Sequence, residues 1–144
     1  MKKIYYGGGW FTSEQEEQHT RIYNLIKSRY DVFNPRLAGE ASKTEKSNLG
    51  KLLIGNIEGI KNADLTIILY DYRDVGTIWE AGFSYASKKP IVYFAEHLNG
   101  KPFNLMLATT GRFASSEKEL LELLDEDSTW AFKDVYSEFK GDVE

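Results

Sequence analysis

Apolar positions along this chain switch between two periods, and the switches predict its elements. Ile4-Tyr5-Tyr6 is a short β-forming run halted by Gly7-Gly8-Gly9. Ser13 and Glu16 have the spacing of a capping box, after which Ile22, Leu25, Ile26 and Tyr30 recur at helical steps. Gln and Glu fill the opposite face, giving a first helix. Asp31-Val32-Phe33 reads as a second strand closed by Asn34-Pro35, and the polar residues 36 to 47 read as a loop. From Asn48 onward, Leu49, Leu52, Leu53, Ile57 and Ile60 form a stripe that predicts a second helix. Asp64 and Asp71 bracket Leu65-Thr66-Ile67-Ile68-Leu69-Tyr70, a near-continuous apolar run typical of a strand buried on both faces. Residues 77 to 88 predict a third helix, and Pro90 to Ala95 another buried strand. A short helix around 103 to 108 and a charged one from Ser116 to Leu124 follow, and the last 15 or so residues show no decisive pattern.

Strands alternating with helices imply a doubly wound α/β sheet, mainly parallel, with right-handed crossovers and helices on both faces. A ligand then sits beyond the carboxyl ends of the strands. Three segments reach that edge: the glycines after the first strand, Asp71 to Glu80, and the loop after Pro90 to Ala95. With no linker, repeat or low-complexity tract, residues 1–144 are expected to form one domain.

Composition narrows the function. A net charge of −4 supplies no basic stripe, so a nucleic-acid polymer is not an expected partner. The absence of cysteine removes disulfides, thiol catalysis and cysteine-based zinc sites. His19 and His97 lack ligand spacing and sit among polar residues, so no metal is expected. Gly7-Gly8-Gly9 is not a dinucleotide fingerprint, and no Walker or nucleophile-elbow motif occurs, so no cofactor is expected either. No apolar stretch approaches the roughly 20 residues that span a bilayer. Met1-Lys2-Lys3 runs directly into the first apolar strand, without the features of a signal peptide. The expectation is a soluble cytoplasmic protein with no membrane partner. An aromatic share of 14% suggests that some aromatics line a site or an interface.

The segment Asp71-Tyr72-Arg73-Asp74-Val75-Gly76-Thr77-Ile78-Trp79-Glu80 leaves a buried strand, turns at Gly76 and starts a helix with Thr77 in N-cap position. Glu80 has two readings. It completes a capping box with Thr77, or it is a functional carboxylate kept ionised by the helix N-terminus, which suits a nucleophile. A glycoside is a fitting substrate, because a carboxylate can capture an oxocarbenium-like centre. Ala81-Gly82 would let the helix sit close to the sheet, and Trp79 would wall an apolar pocket. Asp74 is either a solvated turn aspartate or part of the site. Tyr5 is either a core tyrosine or aims its hydroxyl at the site. Gly7, Gly9, Trp10 and Phe11 would admit a ligand to backbone amides. Asn56 shares a helical face with Leu52 and Ile60, and is either a satisfied buried amide or a base-reading group. Asn104 caps a short helix in its simpler reading.

Taken together, IYYGGGWF at residues 4 to 11, DVGTIWEAG at 74 to 82, Lys89-Pro90 before a strand, and Asn104-Leu105-Met106 resemble the nucleoside 2-deoxyribosyltransferase family. The likeness runs from about residue 4 to 107. It implies a flavodoxin-like fold and base exchange on 2′-deoxynucleosides through a covalent 2-deoxyribosyl intermediate, in nucleobase salvage. On this resemblance the nucleophile is Glu80, oriented by Tyr5. Asp74 holds the sugar hydroxyls. Asn104 and Met106 reach into a neighbouring subunit's site, making the protein a homo-oligomer, at least a dimer, with tetramer and hexamer open. One departure is Asn56, where the family usually has an aspartate that helps protonate or hydrogen-bond the base. A neutral amide hydrogen-bonds but delivers no proton. A sister branch hydrolyses deoxynucleoside monophosphates and carries an arginine after the first strand, which Gly7 to Phe11 lacks. Nucleoside hydrolysis and a non-catalytic nucleoside-binding module are the alternatives.

Overall fold

The computed structural model describes residues 1–39, 49–126 and 139–144. Five strands, β1 (Lys3–Gly7), β2 (Asp31–Phe33), β3 (Leu65–Leu69), β4 (Ile91–Phe94) and β5 (Arg112–Ala114), line up in the order β2-β1-β3-β4-β5. Every neighbouring pair is parallel. This is the flavodoxin-like order, whose switch point lies between β1 and β3. The helices are α1 (Ser13–Ile26), α2 (Pro35–Gly39), α3 (Leu49–Asn62), α4 (Val75–Ala86), α5 (Leu105–Ala108) and α6 (Glu117–Asp125).

Successive strand residues face opposite sides of the sheet, and both sides are apolar. Ile4 and Tyr6 of β1, Leu65, Ile67 and Leu69 of β3, and Val92 and Phe94 of β4 pack with Ile22 and Ile26 of α1 and Leu120, Leu123 and Leu124 of α6. On the other side, Ile68, Ile91 and Tyr93 pack with Ala81 of α4 and Ala108 of α5, while Tyr5 packs with Ile60 of α3. Helices therefore cover both faces. Thr66 of β3 and Ser84 of α4, both fully buried, satisfy each other at 3.0 Å, which sets the seating of α4 on the sheet.

Several details depart from the sequence pattern. Helix α1 is capped by Thr12, not Ser13. The Thr12 hydroxyl accepts from Gln15 N–H at 3.2 Å, and Gln15 Oε1 accepts from the Thr12 N–H at 3.2 Å. A buried Gln15 at N3 closes the box one residue earlier than Glu16 would, leaving Glu16 in solvent to pair with Arg36 at 2.7 Å. The glutamine face of α1 is not all solvated either. Gln18 is buried and donates to Asp71 at 2.6 Å. Asp71 also accepts from Glu96 N–H at 2.9 Å and His97 N–H at 3.0 Å, tying the exit of β3 to that of β4. His19, expected among polar residues, is buried edge-on to the Tyr6 and Trp10 rings and faces Asn34. Burial lowers its pKa, opposed by the hydrogen bond to Asn34 and reinforced by the charge of Arg36.

Within the segment read as a loop, residues 36–39 belong to α2; residues 40–47 lie outside the described residues. The α3 stripe is only partly a core face: Ile60 is buried, whereas Leu49 and Leu53 are exposed, as is neighbouring Ile54. Strand β5 was not foreseen, because three residues with one large apolar side chain carry no period. Of the undecided C-terminal stretch, Phe139 packs on Phe103 and Phe113, and Val143 bridges Phe103.

Candidate functional site

The chain leaves β3 through a turn in which Arg73 N–H bonds the Tyr70 carbonyl at 2.9 Å and Arg73 adopts φ +50. This left-handed residue, not Gly76, redirects the backbone, and Gly76 already lies in α4. Asp74 is the N-cap: its Oδ2 accepts from the Thr77 N–H at 3.0 Å and the Thr77 hydroxyl at 2.8 Å. The helix thus starts earlier than Thr77 would have started it. Glu80 is no capping-box partner and sits beyond the first turn, where the helix-dipole effect has faded.

This placement reverses the expected ionisation of Glu80. Burial raises its pKa, the neighbouring Tyr5 hydroxyl draws it back down, Asp74 adds a further upward push, and the result is about 7. The Tyr5 hydroxyl and Glu80 Oε2 are both buried; the hydroxyl lies near enough to steady the carboxylate but makes no well-formed hydrogen bond with it or with any other described residue. Burial and the nearby Glu80 push the Tyr5 hydroxyl far above its ordinary range. Tyr5 is held from behind by stacking on Phe33, ring centroids 5.6 Å apart.

Gly7 ends β1 where a side chain would collide with the site. A Cβ there would stand 3.0 Å from Glu80 Oε2 and 3.1 Å from Ile68 Cδ1. At Gly9 it would meet Asp74 and Gln15 at 3.2 Å. The absence of side chains is what lets the β1 exit and α4 approach across the switch point.

Between these elements lies a cavity of about 280 Å³, lined by Gly8, Trp10, Phe11, Pro35, Asn56, Asp74, Gly76, Thr77 and Glu80. Trp10 and Phe11 stack with centroids 5.0 Å apart, forming an aromatic wall. Half-buried Asn56 brings α3 to the same cavity. Gly8, Pro35, Gly76 and Thr77 complete the lining; Pro35 was legible only as a strand terminator.

The structure thus brings Glu80, Asp74, Asn56, Trp10 and Phe11 together, with Tyr5, Gly7 and Gly9 against their backs. It does not bring in the others. Trp79 is half-exposed and stacks on Phe83 at 5.6 Å instead of walling the cavity. Gly82 points to open space, so the close helix–sheet contact is made by buried Ala81 together with Thr77 and Ser84. Asn104 caps α5, accepting from Met106 N–H at 2.9 Å and Leu107 N–H at 3.2 Å. With exposed Met106 it lines a different hollow, beside Tyr70, Arg73 and Ile78.

Asp74 offers a direct test of the electrostatics. Asp74→Asn keeps an N-cap acceptor but removes the charge that raises the Glu80 pKa. The Glu80 carboxyl, followed by carbon-13 NMR, should titrate at lower pH than in the wild type. An unchanged or higher midpoint would contradict the coupling.

Comparison with known proteins bears on the family and the fold. The family model described as nucleoside 2-deoxyribosyltransferase matches residues 4–106. Among solved structures, the chain is similar to a 2-deoxyribosyltransferase from Bacillus psychrosaccharolyticus, with a TM-score of 0.70 and 27% identity over 87% of this chain and 92% of that one. A conserved protein from Enterococcus faecalis V583 gives a TM-score of 0.66 and 23% identity over 85% and 96%. A CMP N-glycosidase from Clostridium botulinum gives 0.51 and 20% over 87% and 100%; these last two likenesses are of fold alone. No match was found among curated protein sequences. A family model covering well over half of the chain, on a sheet of the same architecture, places this protein in the nucleoside 2-deoxyribosyltransferase family.

Proposed function

We propose that the protein is a nucleoside 2-deoxyribosyltransferase that exchanges the base of 2′-deoxynucleosides through a covalent intermediate on Glu80. The observation that carries this reading is Glu80, a buried carboxylate beside the Tyr5 hydroxyl that lines a cavity at the switch point of the sheet. A carboxylate buried without a salt bridge among the described residues is destabilising, and such groups cluster where there is chemistry to do.

In the first half-reaction a Glu80 oxygen attacks the anomeric carbon, the bond to the base breaks, and its electron pair leaves with the base. In the second, a ring nitrogen of another base attacks the same carbon, Glu80 departs as carboxylate, and the incoming base sheds its N–H proton. Tyr5 orients Glu80, Asp74 receives the sugar hydroxyls, Trp10 and Phe11 stack on the base, and Asn56 meets its edge. Two carboxylates and no lysine or arginine line the cavity among the described residues, favouring a free 5′-hydroxyl over a 5′-phosphate.

The active form is a homo-oligomer, at least a dimer, in which Asn104 and Met106 complete a neighbour's site. Exposed apolar side chains support it: Leu49, Leu53 and Ile54 on α3, Val75 and Trp79 on α4, and Leu105 and Met106 on α5. The protein acts as one domain in cytoplasmic salvage of bases. No described helix is long and apolar enough to cross a membrane.

The test is to incubate the protein with thymidine or deoxyinosine, with and without free adenine, and separate the products. Formation of deoxyadenosine is the expected result. Free base without deoxyadenosine would make the protein a nucleoside hydrolase. No turnover of any deoxynucleoside would overturn the enzyme reading and leave a binding module.

A further inference from the structure

Base exchange needs the departing base to accept an electron pair, and the cavity wall limits how that charge is handled. Among the described lining residues, Asp74 already accepts two hydrogen bonds from Thr77, and the Thr77 hydroxyl gives its proton to Asp74. Glu80 is the group that attacks. The Phe11 side chain has no polar atom, and the Trp10 indole N–H, like the backbone amides of the lining, can donate a hydrogen bond but gives up no proton. The remaining polar side chain of the lining is that of Asn56. It is half-buried on α3 and makes no hydrogen bond within the described residues, so both ends of its amide are open to a ligand.

An amide N–H can donate to charge developing on a carbonyl oxygen or ring nitrogen of the base, but it cannot hand over a proton. The base must then leave as an anion and take its proton from water afterwards. Building on the exchange reading above, we infer that Asn56 makes the first half-reaction depend on the leaving group. The site would select deoxynucleosides whose carbonyl-bearing base forms a stabilised anion, the uracil, thymine and hypoxanthine class, over cytosine. Cytosine forms its ring anion reluctantly, because its amino group donates electron density into the ring; it departs readily only when protonated.

The pyrimidine ring allows recognition to be held nearly constant while acidity changes. Base release is measured in single turnovers at saturating 5-fluoro-2′-deoxyuridine, 2′-deoxyuridine, thymidine and 2′-deoxycytidine. For the wild type the rate should fall in that order, by about 10²-fold across the set, the size of effect a missing general acid leaves uncorrected. Asn56→Asp, nearly identical in shape, should flatten the series, raise deoxycytidine most, and make release slow as pH rises and the new carboxyl ionises. A merely structural role for Asn56 would change all four rates together and leave their ratios alone. Equal rates in the wild type, or an unchanged ratio in Asn56→Asp, would overturn this inference while leaving base exchange standing. No base released from any of the four would overturn both.

Discussion

Glu80→Ala is expected to abolish base exchange, lowering the rate by about 10⁴-fold or more while deoxynucleosides still bind. The magnitude follows from what is removed. Without an oxygen to capture the anomeric carbon, the two displacements collapse into one, in which both bases would have to flank the same carbon at once. Trp10, Phe11, Asp74 and Asn56 remain to hold the ligand, so binding followed by calorimetry should change little by comparison. Loss of binding together with activity would mean that Glu80 shapes the cavity instead of reacting in it. The wild-type pH profile adds an independent mark. Only the ionised carboxylate attacks, and its pKa is raised to about 7, so kcat/KM should climb about tenfold per pH unit below neutrality and level off above it. A profile flat from about pH 5 upward would place the reacting carboxylate in an ordinary solvated setting, contrary to its burial.

Much of this is legible in the sequence, and the reasons are physical. Strands β1, β3 and β4 are buried on both faces, so their apolar runs are continuous and hard to miss. The order of chemistry-bearing segments after the first and third strands follows from the architecture, because exits from neighbouring parallel strands share one edge. What was misread depended on contacts made across the chain. Glu80 looked like a low-pKa helix-terminal carboxylate because sequence spacing shows the candidate cap but not which of Asp74 and Thr77 takes it. Asp74 won because Thr77 supplies it with two donors. Gln18 and His19 read as surface residues until their partners Asp71, Tyr6, Trp10 and Asn34, all distant in sequence or reached through a turn, closed over them. The stripe that marked α3 as a helix includes leucines that stay exposed, because a period reports that a face is apolar, not what covers it.

The same burial that tunes Glu80 should make it a pH-dependent liability to the fold, and Glu80→Gln should remove that liability. In the unfolded chain the carboxyl titrates near 4.5; in the folded protein it titrates at about 7. Between those values the unfolded chain has lost the proton that the folded one keeps. Unfolding therefore releases a proton there, and stability falls as pH rises. A difference of about 2.5 pH units at about 1.4 kcal/mol each gives a loss on the order of 3 kcal/mol, complete once pH passes the folded value. Glutamine has nearly the same shape, stays neutral and has no such loss. Below about pH 4 the two proteins should differ little. By about pH 8 the variant should be the more stable by a few kcal/mol, measured as the difference between their denaturant midpoints across the pH range. Because only the difference is read, titration of the carboxylates not coupled to Glu80 cancels, and Asp74 is the one neighbour that contributes to it. A gap that stays constant with pH would show that Glu80 is already ionised without penalty in the folded protein. A gap that opens as described would mean that the inactive variant is the sturdier one, and that the fold gives up stability to keep a buried carboxylate at this edge of the sheet.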